Sequence, residues 1–600
     1  MTKRFVMGNE AIGLGALKAS VKVVSGYPGT PSTEVLETVA KHNPGDVHVE
    51  WSTNEKSALE VAAGAAYTGA RSMVTMKQVG LNVASDPLMS LAYIGVKGGM
   101  VIVVADDPGP ISSQTEQDTR HFAQFAKLPV FDPASPEEAY EMIEDAFEYS
   151  EKFHTPVILR PTTRVCHGCA SVEIKERDEK REIEGFVKDS SRWVIFPKLS
   201  YQNHLMIEKR LPEMGEIFSS YRFNTLTGKG KKGIITGGIS YEYVREVLGS
   251  YEDVKVLRVA VPHPFPEKLA LEFLEGLEEV IAVEELDPVL EKELLMLCGK
   301  HHLNVKIRGK YTEDVRCAGE NSVQSVCQSL ESFLGTEKGV LNGNPEGSCE
   351  QMPDLPVRPP VLCAGCSHRA SFYAVKRAME GKEAVFCGDI GCYTLGNAKP
   401  LDMVDTCLCM GAGITVAQGI AHVEPEKKYL SFTGDSTFFA SGIPGLVNAV
   451  YNQADLTAVI LDNSTTAMTG HQPHPGTGMT MMGDVVAKIS IENVLHGIGI
   501  EDVVTVDPLD LDKAIETVKE ISEKKGVKAV IFKSPCIALL KANERKVMRI
   551  DSEKCVHCQE CIKEIGCPAL VLHGDIVSID ETLCTGCGLC TRVCSIHAIE

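Results

Sequence analysis

The chain has 600 residues, 44% hydrophobic and 24% charged, and at about 150 residues per domain this makes roughly four domains, which excludes a peptide, a single small module and a disordered chain. Lys and Arg number 60 against 81 Asp and Glu, a net charge of -21; a surface of that sign repels nucleic-acid phosphates, so no nucleic-acid partner is expected. The longest apolar stretch, Leu91 to Ala105, is cut by Lys97, and Glu10 stands where an export signal has its apolar core, so a cytoplasmic protein without a membrane span is expected.

Short apolar runs alternate with helical periodicity from Val21 onward, the pattern of a parallel α/β sheet. Strands are predicted at Val21 to Val24, Val47 to Glu50, Ser72 to Met76, Val101 to Ala105 and Pro156 to Leu159, with helices at Thr33 to Ala40 and Glu55 to Thr68. The charge run Glu173 to Glu184 and the polar stretch to Lys232 read as a solvated connector. A second α/β unit follows, with strands at Gly233 to Thr236, Val254 to Val259 and Val280 to Glu284. Prolines 345, 353, 356, 359 and 360 mark an interdomain linker. Beyond it, strands are expected at Ala384 to Cys387, Tyr429 to Thr433, Thr457 to Leu461 and Ala529 to Phe532, ending near Arg545.

Twenty-one cysteines in a chain without an export signal point to metal ligation, not to a disulfide framework. Eight of them close the chain, as Cys555-x2-Cys558-x2-Cys561-x5-Cys567-Pro568 and Cys584-x2-Cys587-x2-Cys590-x3-Cys594. Three thiolates at this spacing wrap one face of an iron-sulfur cube and the fourth comes from the other motif; a pair of zinc sites is the alternative. The tail resembles a two-cluster ferredoxin. That resemblance implies one 4Fe-4S cluster on Cys555, Cys558, Cys561 and Cys594 and another on Cys584, Cys587, Cys590 and Cys567. Two features depart from it, the five-residue gap before Cys567 and Ser595 after Cys594.

Gly434-Asp435-Ser436 and Asp462-Asn463-Ser464 stand at the ends of successive predicted strands, where α/β sheets place ligands, and Asp435 and Asn463 offer the hard oxygens that Mg2+ prefers. A simple turn is the alternative for either one alone. The pair resembles the thiamine diphosphate motif, which implies Mg2+ on Asp435, Asn463 and the Thr465 carbonyl, with Gly434 and Ser436 at the cofactor. Cys363-x2-Cys366-Ser367-His368 precedes a helix, and Gly388-Asp389-Ile390-Gly391-Cys392 follows a strand. A free helix N-terminus attracts anions. Both loops resemble those of the thiamine-binding half of 2-oxoacid:ferredoxin oxidoreductases, which makes Cys366, His368, Gly391 and Cys392 candidate cofactor contacts. The alternative for Cys363 and Cys366 is half a zinc site completed by Cys166 and Cys169.

The segment from Asn54-Glu55 through the small-residue helix, with Gly64 and Gly69, resembles the activating glutamate segment of these enzymes and makes Glu55 the catalytic candidate; helix-dipole capping is the alternative. Tyr27-Pro28-Gly29-Thr30-Pro31 resembles their YPxTP loop, which places Thr30 near the substrate carbonyl. Gln78 stands where many members have histidine. Arg120 and His121 are candidates for the substrate carboxylate, with a surface salt bridge the plainer reading of each.

Taken with SSQTEQD at Ser112 to Asp118 and TAMTG at Thr466 to Gly470, these segments resemble the large (alpha) chain of the 2-oxoacid:ferredoxin oxidoreductases that act on aryl pyruvates, chiefly indolepyruvate. The resemblance implies an α/β protein with a pyrimidine-binding-type thiamine diphosphate domain (1–190), a connector (191–230), a transketolase C-terminal-like domain (231–335), a linker (336–360), a diphosphate-binding-type parallel-sheet domain (361–545) and a two-cluster ferredoxin-like domain (546–600). It implies thiamine diphosphate, Mg2+ and two 4Fe-4S clusters as cofactors, coenzyme A as co-substrate, and a smaller (beta) subunit and external ferredoxin as partners. The reaction implied is oxidative decarboxylation of an aryl 2-oxoacid to its acyl-CoA. A non-oxidative thiamine decarboxylase leaves the eight tail cysteines without a purpose, and an electron-transfer scaffold leaves Glu55, Asp435 and Asn463 unexplained.

Overall fold

The computed structural model describes residues 2–177, 182–337, 340–343, 356, 358–540 and 546–600. The chain divides into two compact units, Met1–Pro353 and Asp354–Glu600. Most of the expected linker 336–360, the expected end of the third domain near Arg545 and the middle of the charge run Glu173 to Glu184 lie outside the described residues.

The first unit opens with a six-stranded parallel sheet in the order His48–Trp51, Val23–Gly26, Ser72–Lys77, Met100–Ala105, Val157–Leu159, Val130–Phe131. Ser72–Lys77 and Met100–Ala105 are almost wholly buried, as central strands covered on both faces must be, and Met100–Ala105 is an unbroken apolar run. The helix Glu55–Tyr67 starts on an Asn54 cap whose side chain accepts from the Ser57 N–H. Its Ala58, Ala62, Ala63 and Ala66 let the helix press onto Val74, Met76 and Val104, so closely that Ser25 and Ser72 hydroxyls donate to the Ala58 and Ala62 carbonyls, at 2.7 and 2.8 Å. Leu59 is fully buried in this layer, worth about 1.5–3 kcal/mol.

A second sheet runs Lys306–Arg308, Glu279–Val283, Lys232–Thr236, Lys255–Arg258 and, antiparallel at its edge, Thr225–Gly228. That edge strand corrects the expected connector. So does the helix Pro197–Phe218, whose Ile207, Met214 and Phe218 are buried and whose Asn203 and Arg210 bond the Tyr93 and Phe153 carbonyls. Three apolar contacts spread over 12 residues are hidden in the sequence by the charges between them. Another strand the sequence did not reveal, Thr2–Met7, pairs antiparallel with Cys169–Ile174.

The two sheets of this unit are locked by buried charge. Arg120 donates to Asp118, to Glu284 at 2.7 Å and to the Glu285 and Asp287 carbonyls, while Arg160 bridges Asp106 and Asp132. This corrects the sequence reading of Arg120: it is 2% exposed and fully engaged, neither a surface ion pair nor a group free for substrate. His121 lies outside this buried network and faces Asp287 at 3.1 Å.

The second unit holds a five-stranded parallel sheet, ordered Ala384–Cys387, Lys428–Gly434, Leu456–Asp462, Val527–Lys533, Val503–Val506. The last strand was not apparent in the sequence. The cysteine-rich tail folds around the hairpin Leu570–His573 and Ile576–Ile579 and is no tethered appendage: Ile565, Leu570, Val577, Leu589 and Val593 share one apolar core with Phe372 and Phe432 of the sheet domain. No described helix is long and apolar enough to cross a membrane.

Candidate functional site

In the second unit, the strand ends at Gly434 and Asp462 lie side by side because Lys428–Gly434 and Leu456–Asp462 are paired neighbours in register. Asp435 Oδ1 accepts from the Ser436 N–H (2.8 Å), and Oδ2 from the N–H groups of Asn463 (3.1 Å) and Ser464 (2.8 Å). The carboxylate is thus aimed by backbone across the adjoining loop. The Asn463 amide nitrogen meets His368 Nε2 at 3.2 Å, and its oxygen accepts from the Thr465 N–H. Burial pulls His368 down to about 4, against the pull of Asp435, so the ring is neutral at pH 7. His474 Nε2 lies 3.1 Å from Asp435 Oδ2 yet is misaligned for a hydrogen bond and has no other partner.

These residues suit a hydrated divalent cation bearing a diphosphate. Asp435 pairs with no lysine or arginine among the described residues, and the orphaned His474 N–H borders it. The glycines serve close approach: a Cβ at Gly391 or Gly434 would stand 2.4 or 2.5 Å from the Tyr393 ring, so both loops can wrap that buried side chain only as glycine. The Asp389 carboxyl, which accepts from the Ile390 and Gly411 N–H groups, is pushed up to about 7 by burial. His368 opens the helix Ser367–Ala378 beside its Cys366 cap.

Twelve of the fifteen thiols described in this unit fall into three groups. Cys561 has Cys558, Cys594 and Cys555 as neighbours; Cys567, Cys584, Cys587 and Cys590 line a single cavity. These are the two sets expected from the sequence. Backbone N–H groups of Met548 and Ala598 reach Cys584 Sγ (3.5 Å) and Cys594 Sγ (3.2 Å), contacts suited to thiolates. Among the described residues no three Cys, His, Asp or Glu side chains converge as around one metal ion. A cluster fits such a cavity better than zinc, whose four sulfurs sit at about 2.3 Å from a single centre. The third group is one that sequence reasoning missed. Cys392 is pushed up to about 11 by burial and by Cys536 and Cys363 beside it, and Cys366 up to about 12 by burial first. Cys536, just past the end of the strand Val527–Lys533, was the overlooked member; its place at a strand's carboxyl end was the available signal. Cys166 is buried and Cys169 exposed in the other unit.

In the first unit, Glu55 is buried beneath Gly80, at the carboxyl ends of the central strands. Burial pushes its carboxyl up to about 7, against its own backbone N–H and Lys77. Because Asn54 caps the helix, Glu55 is not needed as a cap. Lys77 closes the strand Ser72–Lys77 alongside Gly29; burial pulls its ammonium down while Asp107 and Glu55 push it back. Gln78 donates to the Thr115 carbonyl (3.3 Å), leaving its own buried oxygen without a partner. The Thr30 carbonyl accepts from Ser112 (3.1 Å), which ties the YPGTP and SSQTEQD loops together.

Three protein families match the sequence: pyruvate flavodoxin/ferredoxin oxidoreductase, thiamine diphosphate-binding, over residues 14–210; thiamine pyrophosphate enzyme, C-terminal TPP binding domain, over 389–532; and the 4Fe-4S binding domain over 577–600. Fold and matches together define a thiamine diphosphate-dependent, iron-sulfur oxidoreductase. Indolepyruvate oxidoreductase subunit IorA of Methanothermobacter thermautotrophicus is 42% identical over 100% of this chain and 97% of its own length; that of Archaeoglobus fulgidus is 41% identical, again over 100% and 97%. The chain belongs to this IorA family. Subunit KorA of 2-oxoglutarate synthase from M. thermautotrophicus is 27% identical over 30% of the chain and 50% of its own length. A solved 2-oxoglutarate:ferredoxin oxidoreductase from Magnetococcus marinus aligns over 55% of this chain and 65% of that one, at 20% identity and a TM-score of 0.43.

Proposed function

We propose that the protein oxidises aryl 2-oxoacids, chiefly indolepyruvate: RCOCOO⁻ + CoA-SH gives RCO-S-CoA + CO2 + H⁺ and two electrons, which pass to external ferredoxin. The observation that carries this is the full-length identity of about 40% to chains named indolepyruvate oxidoreductase subunit IorA. The carbanion chemistry would come from bound thiamine diphosphate and the one-electron steps from bound 4Fe-4S clusters. Asp435, Asn463 and the Thr465 carbonyl would hold Mg2+, and Gly434, Ser436, Cys366, His368, Gly391 and Cys392 the diphosphate side. Glu55, its carboxyl pushed up to about 7 by burial, would share a proton with the pyrimidine ring; Thr30 would meet the substrate carbonyl. Cys555, Cys558, Cys561 and Cys594 would hold one cluster, and Cys584, Cys587, Cys590 and Cys567 the other. A smaller beta subunit would complete the enzyme, since the relatives are themselves named as subunits.

An anaerobic screen of 2-oxoacids with CoA and a viologen dye tests this. Indolepyruvate should lead in kcat/KM once the smaller subunit is added, and the isolated chain should turn over poorly. Release of aldehyde without dye reduction would instead make it a non-oxidative decarboxylase; a clear preference for 2-oxoglutarate would move it to another substrate class.

A further inference from the structure

Arg369 sits on the first turn of the helix Ser367–Ala378 and is 4% exposed. Its guanidinium staples two loops. One terminal nitrogen donates to the carbonyls of Ile565 (2.6 Å) and Gly566 (2.9 Å), the other to those of Leu362 and Cys363. The third nitrogen, Nε, is buried and among the described residues has no hydrogen-bond partner, and the side chain lines the cavity walled by Cys567, Cys584, Cys587 and Cys590. The sulfurs of Cys567, Cys366, Cys587 and Cys363 lie close enough to act on its charge. Leaving a buried N–H without an acceptor destabilises the fold, a penalty that a sulfur acceptor within the cavity would offset.

The same staple accounts for the unusual gap before Cys567. Ile565 and Gly566 belong to the five residues that separate Cys561 from Cys567, and Gly566 takes φ +53° against Pro400, where a Cβ would stand 2.4 Å from Cδ. The longer gap is therefore held by the sheet domain, through Arg369, and not by the tail alone. On the opposite wall Gly365, at φ +74°, leaves room for Thr585; a Cβ there would come within 1.9 Å of its hydroxyl.

We propose that Arg369 positions Cys567 and supplies, through Nε–H and its positive charge, a hydrogen bond to the cluster held by Cys567, Cys584, Cys587 and Cys590, raising that cluster's reduction potential above the value it would have without the guanidinium. This rests on the assignment of those four thiols as cluster ligands. Reduction adds negative charge to the cube, and a buried cation beside it favours the reduced form. The bond and the charge act more strongly on the reduced cube than on the oxidised one, so removing them should shift the reduction equilibrium roughly tenfold, about 59 mV for one electron.

The test is an EPR-monitored redox titration of the whole chain, with iron and sulfide analysis. Cys584→Ala first identifies which reductive wave belongs to the cavity. Arg369→Gln should lower that wave's midpoint and leave the Cys555 cluster's wave in place; Arg369→Lys should recover part of the shift. If Arg369→Gln purifies with only the Cys555 cluster while Arg369→Lys keeps both, the positioning role is supported. The proposal is overturned if neither wave moves in Arg369→Gln, or if both move equally. If Cys584→Ala retains both clusters, the ligand assignment itself fails and the proposal with it.

Discussion

Gly80 is the floor against which Glu55 is pressed: a Cβ at position 80 would stand 2.6 Å from Glu55 Oε1 and 2.8 Å from its Cγ. Only the end of a flexible side chain blocks that space, so Gly80→Ala should leave the fold intact and displace the carboxyl. Positioned acid-base groups contribute about 10² to 10⁴ in rate. Turnover should fall by at least the lower figure in Glu55→Gln and measurably in Gly80→Ala, with iron content unchanged and exchange of the thiamine C2 proton slowed in parallel. Near-normal exchange in Glu55→Gln would move the role elsewhere. The neighbouring candidates are poorly placed for it, since Glu34 is bonded to Asn9 and Glu60 is exposed beside Lys56.

The buried Glu55 carboxyl also makes stability depend on pH. Its folded value of about 7 lies above the ordinary 4.5, so the folded state binds the extra proton and stability falls as pH rises from about 4.5 to about 7, by about 3 kcal/mol. Above that range the loss is complete. Thermal unfolding of the apoprotein should show Glu55→Gln little different from wild type at pH 5 and more stable at pH 8; an equal difference at both pH values contradicts this.

Two thiol sets in the tail call for about eight iron atoms per chain. Anaerobic iron and sulfide analysis should give that figure, and Cys590→Ala should lose about half. A content near twelve would assign a third centre to Cys363, Cys366, Cys392 and Cys536. Stoichiometric zinc in protein never exposed to air would remove the iron-sulfur assignment.

Arg120 binds the two sheets of the first unit through Asp118 and Glu284. Breaking a buried pair from one side strands the remaining charges, at about 3–5 kcal/mol. Arg120→Met should lower the denaturant midpoint of the first unit accordingly, without changing cluster content. A change within experimental error would mean that water or a rearranged partner compensates Asp118.

Local signals were strong enough in the sequence alone to place the central strands of the three large sheets, because buried parallel strands are short apolar-rich runs and the loops after them carry Gly, Asp and Asn. The cysteine spacings were equally legible: ligand geometry is set within a few residues, and the two predicted thiol sets are the ones the fold brings together. What the sequence withheld depends on partners distant along the chain. The edge strand Thr225–Gly228 and the helix Pro197–Phe218 have weak patterns of their own and are specified by the surfaces that receive them. Arg120 read as a surface ion pair or a substrate contact because its acceptor Glu284 is 164 residues away. Arg369 closed the Cys363-x2-Cys366-Ser367-His368 loop with no role of its own, and Cys536 carried no motif; the packing of the tail against the sheet domain puts the arginine beside the thiol cavity, and the pairing of the sheet's own strands puts Cys536 near Asp435. Short-range chemistry follows from composition and spacing, whereas burial, and with it the state of Glu55, His368 and the buried ion pairs, exists only once the layers have closed and water has been excluded.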